Sequence, residues 1–247
     1  MEKIASLHLA LSIETDFRAL NKYLRDSGSY IYPSFDPARA RIDGDCFWFR
    51  LTDIHGQIVA SHADRIFRTD DFCDMIESGE VWFADPKTSL EGHHVTVVRP
   101  PVKMAGTIGH SGSLWVDKAY RGNGLSVFLP YLSRSLCLRN FSTDFHTGFV
   151  FQGLGTSKVP RDYYGYPHVD LCLTEYCPPS VKPGKMEPLY LCWISQAEAI
   201  ERLRALEKHS LFPLDMSFSS GSEIRENPVV RGDYQHIDAP AVLRQRQ

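Results

Sequence analysis

The chain has 247 residues, and 27 lysines and arginines stand against 30 aspartates and glutamates, for a formal net charge of -3. This near-neutral balance predicts no general affinity for nucleic acid, and no apolar run approaches the roughly 18 residues of a membrane span. Glycine and proline number 17 and 15, which is ordinary usage and excludes collagen-like or low-complexity chains. The N-terminal apolar stretch is interrupted by His8 and lacks a signal-peptide cleavage site, so we expect a cytoplasmic protein.

The first half of the chain predicts a strand, a helix and a hairpin. Residues 7–13 alternate apolar and small or polar side chains, which is the period of a half-buried strand. Thr15 is placed to cap a following helix that ends near Gly28. Residues 46–52 and 57–67 then read as two strands that are joined by a glycine-containing turn.

The middle of the chain is harder to interpret. Thr69 is placed to cap a short helix that Gly79 closes. The apolar runs 81–83 and 95–98 favour strands by composition. Together these segments form an insert at about 68–110.

A strand and a long helix follow the insert. Residues 113–117 predict a short strand, and 122–138 predict a helix with leucines and Phe128 on one face. Pro130 lies inside that helix and should bend it. Residues 144–152 predict the next strand.

The last predicted elements are an antiparallel pair and a helix. The pair is 168–176 with 189–194, and the helix starts with a capping box at Ser195–Glu198. We expect residues 1–216 to form one domain and 217–247 to be a polar C-terminal tail.

Cysteine usage gives no sign of a metal centre. The six cysteines contain no CxxC pair, and their neighbours are mostly apolar, which is typical of buried reduced thiols. No Cys/His spacing of the usual zinc type is present, so we expect no metal.

The most informative segment runs from Leu114 to Ser126. It predicts a strand that enters a glycine loop and opens a helix, an arrangement that presents free backbone N–H groups to an anion such as pyrophosphate. Gly122 and Gly124 allow close approach to the backbone, and Arg121 adds a charged donor. The segment lacks the Gly-Lys-Ser/Thr of a Walker loop and the three glycines of a dinucleotide fingerprint. A plain glycine turn before a core helix remains the alternative.

Arg121-Gly122-Asn123-Gly124-Leu125-Ser126 resembles the signature of the GCN5-related N-acetyltransferase family, Arg/Gln-x-x-Gly-x-Gly/Ala. The approach at 115–120 also resembles the family's usual lead-in, whereas Ser126 replaces its final Gly or Ala. The resemblance is strong over 107–152 and weaker over 7–67 and 160–194.

The resemblance implies an α+β, three-layer fold with a mixed, mostly antiparallel sheet and helices on both faces. It implies acetyl-CoA or another acyl-CoA as cosubstrate, with the pyrophosphate on the loop and the pantetheine on the strand edge before it. A splay between that strand and 144–152 would admit the thioester. The cofactor-binding residues so implied are Leu114, Trp115, Val116, Arg121, Gly122, Asn123, Gly124, Leu125 and Ser126.

The catalytic residues are less defined. The segment 161–166 resembles the family's Tyr-x-x-x-Gly-Phe but is compressed, so Tyr164 or Tyr163 is the candidate acid for the leaving thiolate. Packing of both tyrosines at a helix end is the alternative. His110 is the candidate base, because its intrinsic pKa suits a base near neutral pH. Deprotonation relayed by water needs no named base.

We therefore expect an acyl-CoA-dependent N-acyltransferase that transfers the acyl group by direct attack of a small-molecule or protein amine. A non-catalytic acyl-CoA-binding regulatory module of the same fold is the alternative. A third interpretation is an unrelated α/β protein whose loop binds another phosphate ligand. The acceptor has no interpretable motif, and a homodimer is left open by the resemblance.

Overall fold

The protein is described by a computed structural model over residues 2–42, 44–90, 95–176 and 187–208. In that part of the chain, seven strands form one sheet in the order β1-β2-β3-β4-β5-β7-β6. The strands are β1 (Ala10–Glu14), β2 (Cys46–Thr52), β3 (Ile58–Thr69), β4 (Gly106–Val116), β5 (Phe145–Phe151), β6 (His168–Tyr176) and β7 (Glu187–Ser195). All neighbouring pairs are antiparallel except β4 with β5, which is parallel. The predicted mixed, mostly antiparallel sheet is confirmed.

Helices cover both faces of this sheet, as predicted. They are α1 (Glu2–Ser6), α2 (Phe17–Asp26), α3 (Phe72–Ser78), α4 (Pro86–Ser89), α5 (Leu125–Phe141), α6 (Gln152–Gly155), α7 (Val159–Asp162) and α8 (Gln196–Lys208). Strand β2 shows why two layers are needed, since its consecutive aromatic side chains point to opposite faces. Trp48 is buried in a core with α2 and α3, whereas Phe47 and Phe49 are buried in a second core with α1 and α5.

Three predicted features are present: the glycine turn, the late antiparallel pair and the capping box. The turn between β2 and β3 is closed by a Gly56 N–H donating to the Asp53 carbonyl at 3.0 Å, and Gly56 has φ +75°. Strands β6 and β7 pair antiparallel. The capping box is formed by the Ser195 hydroxyl, which donates to Glu198 Oε2 at 2.6 Å, directly before α8.

The two predicted threonine caps are wrong. Asp16, not Thr15, caps α2, because its carboxylate accepts from the Arg18 N–H at 2.9 Å and also from Ala19. Asp71, not Thr69, caps α3 through the Cys73 N–H. A carboxylate is the better acceptor for the positive end of a helix.

The N-terminal strand is also shorter than predicted. Residues 2–6 form α1, a turn follows with His8 at φ +54°, and β1 begins only at Ala10. The alternating pattern from Leu7 therefore crosses the end of a helix and the start of a strand. Ile4 and Leu9 are buried in the same core, which explains why this short stretch is apolar.

The predicted strands at 81–83 and 95–98 are wrong. Residues 81–83 lie in turns, where the Trp82 N–H donates to the Gly79 carbonyl at 2.9 Å. Residues 95–98 have no strand ladder, although the Val98 N–H donates to the Cys172 carbonyl at 2.8 Å. Val81, Trp82 and Phe83 are buried in the core with α2 and α3, so their apolar character reflects burial rather than strand pairing.

The insert is smaller than predicted because two strands extend into it. β3 continues to Thr69, and β4 begins at Gly106 rather than at 113. The predicted polar tail, 217–247, lies outside the described residues. None of the helices in the described ranges combines the length and the apolar composition that a membrane span requires. The single domain and the cytoplasmic location stay predictions.

Candidate functional site

The glycine loop between β4 and α5 has the backbone conformation that its sequence predicts. Gly122 has φ +81° and Gly124 has φ +75°, which side chains with a Cβ rarely adopt. Helix α5 begins at Leu125, directly after Gly124, and no side chain caps it. The Gly124 carbonyl accepts from the N–H groups of Val127 and Phe128, at 3.1 and 2.9 Å, so the helix ladder starts inside the loop.

The loop leaves backbone donors without acceptors. In the described part of the chain, the N–H groups of residues 122–126 donate to no protein acceptor. They lie at the positive end of a 17-residue helix. Unsatisfied N–H groups and the helix dipole together favour an anion, so this loop is suited to a phosphate or pyrophosphate group.

Two side chains of the motif stabilise the loop itself. Arg121 Nε donates to the Val116 carbonyl at 3.1 Å, and Asn123 Nδ2 donates to the Tyr120 carbonyl at 3.1 Å. The Asp117 carboxylate accepts from the Ala119 N–H at 2.8 Å, which caps the short 3-10 turn before the loop. Arg121 therefore ties the loop to the end of β4 while its guanidinium stays exposed.

Strands β4 and β5 separate just before the loop. They pair only over residues 108–111 with 145–148. Beyond Ser111, β4 pairs with β3 alone, and β5 pairs with β7 alone. A bulge at Ser113, which has φ +51°, shifts the register of β4 against β3 at this point. The sheet is therefore open between 112–116 and 149–151.

Two adjoining cavities occupy this opening. The loop cavity, about 360 Å³, lies against the glycine loop and the end of β4. The strand cavity, about 390 Å³, lies between the separated strands and extends to α2. Both cavities are lined by Leu114, Trp115, Arg121 and Tyr164. These shared walls form one groove from the helix N-terminus into the open sheet.

The structure brings nearly all the predicted binding residues to this groove. The loop cavity is lined by Leu114, Trp115, Val116, Arg121, Gly122, Gly124, Leu125 and Ser126. Asn123 is the exception among the predicted set, since its side chain is used to stabilise the loop.

The two candidate tyrosines have different surroundings. Tyr164 lines both cavities, and burial raises the pKa of its hydroxyl, so the hydroxyl is protonated near neutral pH. Its carbonyl accepts from Arg134 Nη2 at 3.0 Å, which fixes the backbone there. Tyr163 is 53% exposed and lines neither cavity.

His110 lies away from the groove. It is fully buried, its ring stacks on Phe35 and packs against Phe149, and Nδ1 hydrogen-bonds Thr147 Oγ1 at 3.0 Å. Burial, with a smaller contribution from the Arg65 charge, lowers its pKa to about 3. The ring lines neither cavity, so the geometry does not favour the predicted role as base.

A buried polar cluster between the sheet and α5 was missed by sequence reasoning. Asp64 Oδ1 accepts from Ser133 Oγ at 2.7 Å and lies 3.3 Å from His146 Nε2. His146 Nδ1 and the Tyr166 hydroxyl are 2.9 Å apart, and that hydroxyl is 2.9 Å from Ser111 Oγ. Only one sequence signal pointed to this cluster, namely the position of Asp64 within the predicted strand 57–67. A charged side chain on a strand that is buried on both faces needs a polar partner.

One group of possible metal donors belongs to this cluster. Within the described ranges, Asp64, Cys137 and His146 bring one donor atom each within 4.8 Å of one another. Burial and the nearby Asp64 raise the pKa of the Cys137 thiol well above its usual value, so the thiol stays protonated, whereas a metal needs the thiolate. We assign no metal here, and the absence of a metal cofactor stays a prediction.

Comparison by sequence gives no match to a protein-family model and no significant match to a curated protein. Comparison by structure matches Arabidopsis thaliana NAA60 in complex with acetyl-CoA, at 13% identity and a TM-score of 0.46, over 76% of this chain and 99% of that chain. It also matches the spermidine/spermine N-acetyltransferase SpeG from Vibrio cholerae, at 11% identity and a TM-score of 0.44, over 79% and 98%. A third match is BjaI, a CoA-dependent acyl-homoserine lactone synthase, at 14% identity and a TM-score of 0.44. This match covers 81% of this chain and 82% of that chain.

The predicted fold, a mixed and mostly antiparallel sheet with helices on both faces, is confirmed. The sheet also opens beside the glycine loop, as the sequence resemblance implies.

Proposed function

We propose that this protein is an acyl-CoA-dependent N-acyltransferase and that acetyl-CoA is its donor. The observation that carries the proposal is the run of free backbone N–H groups at residues 122–126, at the start of α5 and at one end of the groove. A bound pyrophosphate would accept from these donors.

The opening in the sheet supports the placement of the rest of the donor. Among the strands that the structure describes, none pairs with the β5-facing edge of β4 beyond Ser111. The two amides of pantetheine pair with such an edge in the manner of an added strand, here along Leu114, Trp115 and Val116. This path leads the thioester from the loop cavity into the strand cavity.

The strand cavity suggests the class of acceptor. Among the described residues, its lining includes six aromatic side chains, and Arg121 is the one charged side chain. A polyamine needs carboxylates to replace its water, and none of these lining residues supplies one. The acceptor that fits is an apolar or aromatic primary amine. The aromatic residues are Tyr30, Tyr32, Trp115, Phe149, Phe151 and Tyr164.

Transfer by direct attack needs a proton for the leaving thiolate. Tyr164 is the proposed acid, because its side chain lines both cavities and burial keeps its hydroxyl protonated. Tyr163 is the weaker candidate because it is exposed and outside the groove. His110 receives no role, since the ring is buried among aromatic side chains.

Calorimetric titration of acetyl-CoA into the full chain tests the donor site. Wild-type protein should bind, and Gly124→Glu should abolish binding, because a side chain at φ +75° strains the loop and its carboxylate repels the pyrophosphate. Gly56→Glu is the matched control, since Gly56 has the same φ in the β2–β3 turn and open space around it. Equal loss of binding in the control would contradict the assignment.

Release of free CoA then separates an enzyme from a binding module. We expect release with phenethylamine to exceed release with spermidine. Binding of acetyl-CoA without release for any amine would favour the non-catalytic module. No binding of acetyl-CoA, CoA or a longer acyl-CoA would remove the proposed function and leave another phosphate ligand for the loop.

A further inference from the structure

A line of hydrogen bonds leads from the strand cavity into the core. Ser111 lines the cavity at the last paired position of β4, and its Oγ lies 2.9 Å from the Tyr166 hydroxyl. That hydroxyl lies 2.9 Å from His146 Nδ1, and His146 Nε2 lies 3.3 Å from Asp64 Oδ1. All four side chains are buried, and the donor site uses none of them.

We propose that Ser111 is a catalytic residue that takes the proton of the attacking amine, and that Tyr166, His146 and Asp64 form a relay that receives this proton. The inference rests on the proposed function, because it places the reacting amine in the strand cavity. Tyr166, His146 and Asp64 act through Ser111 and are positioning residues.

The distances allow one direction that serves this transfer, in which the Ser111 hydroxyl donates to the Tyr166 oxygen, the Tyr166 hydroxyl donates to His146 Nδ1, and the Nε2–H of His146 donates to Asp64. Both hydroxyl groups also lie 3.2 Å from the Thr147 carbonyl oxygen, which is a competing acceptor. Ser111 Oγ then keeps a lone pair for a proton from the cavity. The Ser133 hydroxyl holds Asp64 Oδ1 at 2.7 Å, which fixes the end of the relay.

The sheet is shaped for close approach at this point. Gly148 is paired with Ser111 across β4 and β5. A Cβ on Gly148 would lie 3.3 Å from Ser111 Oγ and 3.4 Å from the Tyr166 hydroxyl. A larger residue would crowd both hydroxyl groups, so glycine leaves room for their contact.

The transfer balances within the reactants. The amine nitrogen forms a bond to the thioester carbonyl carbon, and the C–S bond breaks with its electron pair left on sulfur. The N–H proton moves to Ser111 Oγ as the serine proton moves to Tyr166 and the tyrosine proton moves to His146 Nδ1. Tyr164 gives its hydroxyl proton to the CoA thiolate, and the proton taken from the amine then returns through Ser111 and the strand cavity to the Tyr164 oxygen, so no other reactant is needed.

The His146 ring is neutral at rest, and its surroundings disfavour the imidazolium, so the ring holds a relayed proton only briefly. Burial and the Arg134 guanidinium hold the pKa of His146 well below its usual value, so the resting imidazole is neutral. Burial raises the pKa of Asp64 to about 6, so the carboxylate beside His146 is ionised above that pH. His62 on β3 and Cys137 on α5 also face this carboxylate, and both are buried.

Two conservative variants of the full chain test the relay. Ser111→Ala and Tyr166→Phe should each lower kcat for phenethylamine by about 100-fold, and leave the acetyl-CoA dissociation constant unchanged. The double variant should lose no more than either single variant, because both interrupt one path. Ser135→Ala on α5 and Tyr190→Phe on β7 are matched controls outside the groove, and they should retain wild-type kcat.

An imidazole ¹⁵N spectrum of the wild-type protein tests the direction of the relay's hydrogen bonds, and it needs no amine substrate. The His146 signals are assigned by comparison with His146→Gln. The relay requires the neutral tautomer with the proton on Nε2, and Tyr166→Phe should shift the Nδ1 resonance. A proton on Nδ1 would overturn the relay, since Tyr166 could not donate there.

The outcomes separate this inference from the proposed function. Failure of wild-type protein to bind acetyl-CoA removes the proposed function, and the relay falls with it. Binding and amine acylation that persist at wild-type rate in Ser111→Ala and Tyr166→Phe overturn the relay alone. Additive losses in the double variant would also overturn it, because they show two independent contributions.

Discussion

At the scale of single residues, the groove gives neighbouring tyrosines different environments. Tyr164 faces both cavities, whereas the adjacent Tyr163 is 53% exposed and faces neither. Sequence similarity alone could not choose between them, because the compressed motif allows either register. Position relative to the groove, which depends on α7 and the loop after it, makes the choice.

Tyr164→Phe should therefore lower kcat for phenethylamine by on the order of 100-fold, because the leaving thiolate loses its proton donor. The binding of acetyl-CoA should change little, since the ring remains in the cavity wall. Steady-state release of CoA measures the effect, and Tyr163→Phe is the control. The assignment is wrong if Tyr163→Phe shows the larger loss.

At the scale of secondary-structure elements, sequence signals for a helix end are the most reliable where side chains and backbone N–H groups hydrogen-bond each other. Ser195 and Glu198 form such a pair, because the Ser195 N–H donates to Glu198 Oε2 at 3.0 Å and the Glu198 N–H donates back to Ser195 Oγ at 3.4 Å. Glu198 also lies 2.8 Å from His168 Nε2 on β6, so the cap joins α8 to the sheet.

We expect Ser195→Ala to reduce the free energy of unfolding by about 1 kcal/mol, because the first turn of α8 loses its cap. The urea midpoint measures the change. Ser135→Ala removes a serine from the interior of α5, where the hydroxyl only donates back to the Tyr131 carbonyl, and should cost less. Equal effects would show that the cap contributes nothing specific.

At the scale of the whole molecule, the described part of the fold buries three neutral histidines. Burial lowers the pKa of His62 to about 4 and of His110 to about 3, and it also lowers the pKa of His146. Each ring binds its proton more readily in the unfolded chain, so each contributes stability that is lost as pH falls below about 6.5. Asp64 acts in the opposite sense, since its raised pKa, about 6, makes the native state retain a proton that the unfolded chain releases.

Three histidines outweigh one carboxyl, so stability should fall between pH 7 and pH 5, by about 1.4 kcal/mol per pH unit for each net proton. Urea unfolding at several pH values measures the slope. His110→Phe should reduce this slope by the contribution of about one proton, which is about 1.4 kcal/mol per pH unit. His55→Gln, in the exposed β2–β3 turn, should retain the wild-type slope. An unchanged slope in His110→Phe would contradict the conclusion that His110 is buried in its neutral form.

The sequence by itself determined the local features of this protein. The loop at 121–126, the turn at Asp53–Gly56 and the capping box at Ser195–Glu198 depend on residues close in the chain, whose backbone preferences do not need distant partners. Patterns of apolar residues also predicted most strands and helices, but they failed at 81–83 and 95–98. There, apolar side chains fill the core from turns and coil, and periodicity cannot distinguish burial from pairing.

Tertiary structure alone decided the geometry of the groove and the relay. The separation of β4 and β5 depends on pairing across the sheet, which no local pattern specifies. Asp64, Ser111, His146 and Tyr166 come from β3, β4, β5 and the loop before β6, and they meet only after the sheet and α5 have packed. Burial then requires these polar groups to satisfy one another, because water no longer reaches them, and this is why their contacts could not be read from the sequence.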